Sequence, residues 1–247
     1  MLSLVIPVFN ARSTLQACLD SCFAQTYQAM EIIVIDGGST DGSITLIEAC
    51  QARLAFWATA PDGGIYDAWN KGLRQASGEW IAFMGADDAW SAPTSVEKLM
   101  SLARFPAVNL VTARLQKLAH AGVGAENFGE PWSTRGMRSR MIVAHAGMPH
   151  HRSLFDKFGP FDTDFKIAGD YDFLLRAATE IRAAHLNETV AQMGGGGVSS
   201  TQLARVRDES ARALRTAPVA GPLWALSFWL RFNLRHWQRL RSSHAGS

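Results

Sequence analysis

Trp80-Ile81-Ala82-Phe83-Met84 is an unbroken apolar run that gives way, after Gly85-Ala86, to the adjacent carboxylates Asp87-Asp88. A strand without polar alternation has both faces covered, as in a parallel sheet held between two layers of helices. Three earlier segments repeat the plan. Residues 2–8 end at Pro7-Val8-Phe9-Asn10 and precede an amphipathic stretch, 13–24. Residues 31–36 carry Ile32, Ile33, Val34 and Ile35 and lead through Asp36-Gly37-Gly38-Ser39-Thr40-Asp41-Gly42 into a helical pattern over 41–53. A third strand, 54–60, is followed by Asp62-Gly63-Gly64 and a helix over 65–76. This alternation predicts an α/β fold, a Rossmann-like and mostly parallel sheet flanked by helices.

In such sheets ligands bind beyond the carboxyl ends of the strands. Asn10, Asp36 to Asp41, Asp62-Gly63-Gly64 and Asp87-Asp88 all fall there, so four successive strand ends bring acids, amides or glycines to one rim. Asp87 and Asp88 repel each other unless a cation or hydrogen-bond donors compensate. A divalent hard cation takes such oxygens and completes its shell with phosphate and water; the alternative is a pair that caps the next helix. The 36–42 loop lacks the G-x-G-x-x-G dinucleotide pattern. Asp41 reads as a helix N-cap there, which leaves Asp36 free to accept from a ligand N–H or hydroxyl.

The remaining chain is less regular. Residues 91–103 read as helix, 108–118 as strand, 120–140 as a mobile loop, 148–155 as strand, 170–179 as helix and 181–193 as strand. Four glycines, Gly194 to Gly197, precede a helix near Thr201, and Pro218 and Pro222 bracket a break before a terminal helix. With 247 residues, 47% hydrophobic and 19% charged, the composition excludes disorder, collagen and coiled coil. Net charge is +2, yet residues 1–200 carry −4 and residues 201–247 carry +6, eight Arg against Asp208 and Glu209. A basic character confined to a tail argues against nucleic acid as a partner. Cys18, Cys22 and Cys50 cannot all pair and lack metal-knuckle spacing, so a reducing, cytoplasmic compartment is expected, with Cys18 and Cys22 buried on one helix face. The N-terminus opens on a strand-like run rather than a signal peptide, and no apolar stretch reaches the ~20 residues of a spanning helix.

Taken in order, Val5-Ile6-Pro7-Val8-Phe9-Asn10, Ile33-Val34-Ile35-Asp36-Gly37-Gly38-Ser39-Thr40-Asp41-Gly42, Asp62-Gly63-Gly64-Ile65-Tyr66-Asp67-Ala68-Trp69-Asn70-Lys71-Gly72 and the segment ending at Asp87-Asp88 resemble glycosyltransferase family 2. Phe165-Lys166-Ile167-Ala168-Gly169-Asp170-Tyr171-Asp172-Phe173-Leu174-Leu175-Arg176 continues the resemblance, which spans roughly residues 1–200.

The resemblance implies a GT-A fold over 1–200, with a nucleotide-sugar-binding half over 1–100 and an acceptor-binding half over 101–200. It implies an inverting transferase that takes a sugar from a nucleotide-sugar donor, UDP-sugar favoured, with Mn²⁺ or Mg²⁺. The transferred group would be hexosyl or N-acetylhexosaminyl, passed to a glycan or lipid-linked acceptor in polysaccharide biosynthesis. Donor contacts map to Pro7, Phe9, Asn10, Asp36, Ser39, Asp62, Gly64, Asn70, Lys71 and Asp87. Asp88, with Asp87, corresponds to the metal ligand of the DXD element, and Asp170 to the general base. A carboxylate in that role takes the acceptor proton as the new bond forms, and one base without a second carboxylate nucleophile favours inversion. His151, with Arg152, is the candidate for the family's active-site histidine and a diphosphate or acceptor contact. Gly37, Ala86, Gly169 and Trp69 depart from the family pattern, at positions that usually touch or orient the donor.

Residues 201–247 form a basic amphipathic helical extension. Trp224, Phe228, Trp229, Phe232 and Trp237 interleave with Arg231, Arg235, Arg239 and Arg241, which suits an anionic membrane surface, peripheral on the inner face of the cell membrane. Packing on its own domain or in a homodimer is the alternative. Two other functions compete with transfer. A nucleotidyltransferase would need a basic Gly-rich loop after the first strand, which Pro7-Val8-Phe9-Asn10 is not. Against a catalytically silent sugar-nucleotide-binding or scaffold protein stands the presence of Asp36, Asp87, Asp88 and Asp170 together.

Overall fold

The structure, a computed structural model, describes residues 1–119 and 124–244. Its first half is the expected repeat: β1 (Leu2–Val8), α1 (Arg12–Phe23), β2 (Met30–Asp36), α2 (Ser43–Cys50), β3 (Phe56–Thr59), α3 (Ile65–Gln75) and β4 (Trp80–Phe83). These strands are parallel in the order β3-β2-β1-β4. Alternate residues serve opposite faces, which is why the strands read as apolar throughout. Leu4, Ile6, Trp80 and Ala82 pack with Leu15, Cys18, Leu19, Cys22 and Ile47, and the expected burial of Cys18 and Cys22 is met. Val5, Ile33, Ile81 and Phe83 pack on the other side with Tyr66, Trp69 and Phe173.

Beyond β4 come β5 (Ala89–Trp90), α4 (Ser95–Leu102), β6 (Leu110–Lys117), β7 (Glu126–Phe128), α5 (Thr134–Met137), β8 (His150–His151), α6 (Arg152–Phe158), α7 (Gly169–Ala177), β9 (Ala183–Met193), α8 (Val198–Thr201), α9 (Leu203–Thr216) and α10 (Pro222–His244). One sheet runs β3-β2-β1-β4-β8-β6-β9-β5, with β7 on β6. Strand β8 is antiparallel to both β4 and β6, so the parallel order ends at β4.

Two readings are corrected here. The strand expected over 148–155 is reduced to two residues, because the His151 side chain accepts from the Ser153 N–H and starts α6 at Arg152. The expected mobile loop over 120–140 contains β7 and α5; its residues 120–123 lie outside the described ones.

The 201–247 extension does not stand apart. Ala213 and Leu214 of α9 and Ala225 and Phe228 of α10 join the core cluster that holds Phe83 and Phe173. The outer face of α10 stays in solvent, with Leu223 82% exposed and Leu226, Leu230 and Leu234 also exposed. Among the described residues no helix is long and apolar enough to cross a membrane.

Candidate active site

The order β3-β2-β1-β4 places a topological switch between β1 and β4, and the loops beyond their ends build the rim. Phe9 is 67% exposed at the end of β1. Asn10, in the left-handed region at φ 48°, holds the next loop: its Oδ1 accepts from the Thr40 N–H and its N–H donates to Ser39 Oγ.

Asp36 is not free. It is completely buried, and its carboxylate accepts from the Gly38 and Ser39 N–H groups, from Ser39 Oγ at 2.5 Å and from Thr59 Oγ1 at 2.6 Å. Burial by itself would raise its pKa, but these bonds outweigh it and hold the carboxyl below its usual value. Asp36 and Ser39 therefore set the shape of the 36–42 loop from inside. Asp41 likewise acts one residue before the Gly42 N-cap, accepting from Ser43 N–H and Oγ and from the Arg12 N–H, and so ties the starts of α1 and α2 together.

Asp62 reaches the rim. Its Oδ1 accepts from the Gly64 N–H, while a Cβ added at Gly37 would stand 2.7 Å from its Oδ2 and 3.3 Å from the Phe9 ring. Gly37, one of the departures from the family pattern, thus leaves room for the Asp62 carboxylate beside Phe9. Pro7 is part-buried within β1. Lys71 pairs with Asp67 at 3.1 Å and donates to the Pro61 carbonyl, which braces the 61–67 loop. Asn70 has a structural role: buried, it donates to the Phe161 carbonyl and accepts from the Phe161 N–H, tying α3 to the chain that follows α6.

Asp87 is exposed and Asp88 is buried. Asp88 accepts from the Gly85 N–H at 2.8 Å and the Gly194 N–H at 3.2 Å. Burial, then the charge of Asp87, push its carboxyl up to about 7. That is an unrelieved like-charge pair, and its oxygens are the hard donors that Mg²⁺ or Mn²⁺ prefer. Among the described residues no group of three or more His, Cys, Asp or Glu could hold a metal. A cation on Asp87 and Asp88 would therefore draw the rest of its shell from phosphate and water, and the pair fits that role. Gly194 packs against the pair: a Cβ there would collide with the Asp87 carboxylate.

Asp170 stands in the first turn of α7. Its Oδ1 accepts from the Tyr171 N–H at 2.8 Å and lies 3.2 Å from the Tyr66 hydroxyl, which is 2.6 Å from the Ile167 carbonyl. Burial pushes the carboxyl up to about 6, the Glu209 charge adds to the rise, and the two hydrogen bonds offset part of it. Gly169 is required beside it, because a Cβ there would stand 2.8 Å from the Tyr66 ring. An acid at 169 has no room.

His151 and Arg152 are corrected outright. His151 pairs with Trp80, the first residue of β4, and its Nε2 is 3.2 Å from Glu79. Arg152 donates to the Ala76 and Gly78 carbonyls, in the turn that enters β4. Both are at the end of the sheet opposite Asp87 and Asp88. Because this stretch is antiparallel to β4, residues earlier in sequence lie nearer the rim: the Gly147 N–H donates to the Phe83 carbonyl, at the exit of β4. His145, which the sequence reading missed, is the histidine on that side. It is buried, stacked on Trp69 at 5.0 Å, and its two ring nitrogens have no hydrogen-bond partner among the described residues. Burial lowers its pKa to about 3, so the ring is neutral. The antiparallel direction of β8 places His145 nearer the exit of β4 than His151.

Residues 3–158 match the sequence model of Glycosyl transferase family 2. An uncharacterised glycosyltransferase of Mycobacterium tuberculosis is 32% identical over 202 residues, covering 80% of this chain and 76% of its own. In fold, the chain is similar to Staphylococcus aureus TarS 1-349 in complex with UDP-GlcNAc, with TM-score 0.71, 18% identity, and coverage of 96% of this chain and 72% of that one. It is also similar to glucosyl-3-phosphoglycerate synthase of Mycobacterium tuberculosis in complex with Mn²⁺, UDP and glucosyl-3-phosphoglycerate, with TM-score 0.63, 18% identity, and coverage of 87% and 79%. With the paired aspartates at a parallel-sheet switch point, and a sequence match running from β1 through α6, the chain belongs to glycosyl transferase family 2 and is a glycosyltransferase of GT-A fold.

Proposed function

We propose that this transferase moves a hexosyl or N-acetylhexosaminyl group, with inversion, from a UDP-sugar to a hydroxyl of a glycan or lipid-linked acceptor in polysaccharide biosynthesis. The observation that carries the reading is the buried Asp88 beside the like-charged Asp87 at the switch point of the parallel sheet, with a second carboxyl, Asp170, in the first turn of α7 against the Tyr66 hydroxyl. Asp87 and Asp88 would hold the divalent cation, which supplies charge neutralisation for the leaving diphosphate. Phe9 offers a ring face for the base, and Asp62 an acceptor beside it. Asp170 takes the acceptor proton while the acceptor oxygen bonds to the anomeric carbon and the bond to the diphosphate oxygen breaks. A carboxylate poised near pH 6 is ionised at neutral pH yet basic enough for this. The UDP-GlcNAc of the S. aureus neighbour, and the UDP and Mn²⁺ of the M. tuberculosis synthase, support the choice of base and metal.

Calorimetric titration with UDP, GDP, dTDP and CDP, each with and without Mn²⁺, tests the donor site. One nucleotide, expected to be UDP, binds at least about tenfold more tightly with Mn²⁺. Failure of all four, with the protein folded, favours a silent scaffold.

The lipid-linked acceptor is supported by α10, whose exposed Leu223, Leu226, Leu230 and Leu234 follow helical spacing on the helix that carries Arg231, Arg235, Arg239 and Arg241. We propose that this face rests on the anionic inner leaflet, with the body of the protein in the cytoplasm. Ala225 and Phe228 are core residues, so substitution is a cleaner test than deletion. Leu226→Glu with Leu230→Glu, in the full chain, is expected to abolish co-sedimentation with phosphatidylglycerol vesicles; unchanged sedimentation would remove the membrane from the proposal.

A further inference from the structure

Glu209, on α9, is one of two acids in the otherwise basic residues 201–247. Its side chain is 13% exposed, and its carboxylate faces the chain that leads into α7. Oε2 accepts from the N–H groups of Lys166 at 3.1 Å, Ile167 at 2.8 Å and Ala168 at 3.0 Å, and Oε1 from Lys166 at 3.1 Å. The N-cap of α7 is Ala168, which has no side-chain oxygen to satisfy orphan donors. A carboxylate from a distant helix instead holds the N–H of Ala168 and of the two residues before it, so the chain entering α7 is fixed two residues before Asp170.

We infer that Glu209 is a positioning residue: it anchors residues 166–168 so that Asp170 meets the acceptor in a defined place, and it makes the C-terminal helices part of the catalytic unit. The inference rests on Asp170 being the base. The Ile167 carbonyl held in this way also receives the Tyr66 hydroxyl, which in turn neighbours Asp170, so one carboxylate orders both sides of the base. The groups facing Asp170 are Tyr66 of α3 and Glu209 of α9. Around Glu209, Arg205 stands 4.0 Å away on the same helix, while the Lys166 ammonium is turned onto the Gly63 and Thr163 carbonyls. Arg212 pairs with Asp162 and Asp164. Glu209 contributes its own negative field to Asp170 as well as its hydrogen bonds.

Two variants separate these contributions. In Glu209→Ala, amide hydrogen exchange at 166–168 is expected to rise at least about tenfold, and kcat for UDP release from a UDP-sugar with Mn²⁺ to fall between about ten- and a hundredfold, with KM for the donor within about twofold. Glu209→Gln keeps the Oε2 acceptor and removes the charge. It is expected to restore kcat and to move both the acid limb of the pH profile and the Asp170 carboxyl-carbon NMR titration to lower pH. Unchanged exchange and kcat in both variants would overturn the inference, as would equal losses in both with the wild-type pH limb retained. If Glu209→Ala does not fold, Glu209→Gln decides alone, and an unmoved titration sinks the idea. Asp170→Asn that turns over within about tenfold of wild type would instead refute the base assignment, which the exchange measurement does not touch.

Discussion

Asp170→Asn is expected to lower transfer about 10³-fold while Mn²⁺-dependent nucleotide binding stays within about twofold of wild type, since general-base catalysis accounts for 10²–10⁴-fold. The substitution keeps an oxygen for the Tyr171 N–H and removes the site that takes the acceptor proton. In the wild type, burial and the Glu209 charge place the carboxyl at about 6. The base works ionised, so kcat should fall about tenfold per pH unit below about pH 6 and level off above it. The same shift costs stability. A carboxyl raised in the folded state from an unfolded value of about 3.9 favours folding most below that value and loses the advantage as pH rises through about 6. Asp170→Asn is therefore expected to raise Tm at pH 8 while it abolishes transfer. Equal melting curves at pH 5 and pH 8 for the two proteins, or retained turnover, would count against Asp170 as the strained base.

Asp88→Asn is the second large expected effect. Asp88 is buried against the charge of Asp87 with two backbone N–H groups as its partners, an arrangement that a divalent cation relieves. Saturating Mn²⁺ with UDP, at about a hundred times the dissociation constant, should stabilise the wild type by about 2.7 kcal/mol through mass action. The variant should lose that increment and fall at least about 10²-fold in kcat/KM, with its melting curve in EDTA unchanged or higher. Thermal melts with EDTA, Mn²⁺ and Mn²⁺ with UDP distinguish the outcomes. A variant that retains the full Mn²⁺-dependent rise removes Asp88 from the metal site.

Much of the fold was legible because its causes are local. Ile33 and Val34, or Phe83 and Ala82, are apolar on both faces, and that alone separates a covered parallel strand from a half-solvated one. The rim was legible for the same reason: chain direction puts Asp87 and Asp88 after β4 and Asp62 after β3 once the strands are parallel. The sequence is less informative where strand direction reverses. From the sequence His151 is expected near the active site; in the antiparallel β8 it lies at the opposite end of β4, and His145 takes the nearer place. Nor does a sequence show which polar groups are already satisfied. Asp36 has the appearance of a ligand-binding acid and spends its oxygens on Gly38, Ser39 and Thr59. Asn70, within the 62–72 motif, is bonded to both the N–H and the carbonyl of Phe161.

What the amino-acid sequence determined by itself is therefore the α/β repeat, the family, the rim that carries Asp62, Asp87 and Asp88, and the presence of Asp170 at a helix start. These follow from interactions between residues a few positions apart: side-chain periodicity, strand length and turn chemistry. What only the tertiary structure decided is which of those polar groups are engaged by the chain itself and which distant ones serve them: Asp36 and Asn70 bonded to neighbouring segments, His151 and Arg152 at the opposite end of the sheet from Asp87 and Asp88, Glu209 under the loop that leads to Asp170. Hydrogen-bond satisfaction and burial depend on neighbours brought in from elsewhere in the chain, and in a buried site those neighbours set both geometry and pKa.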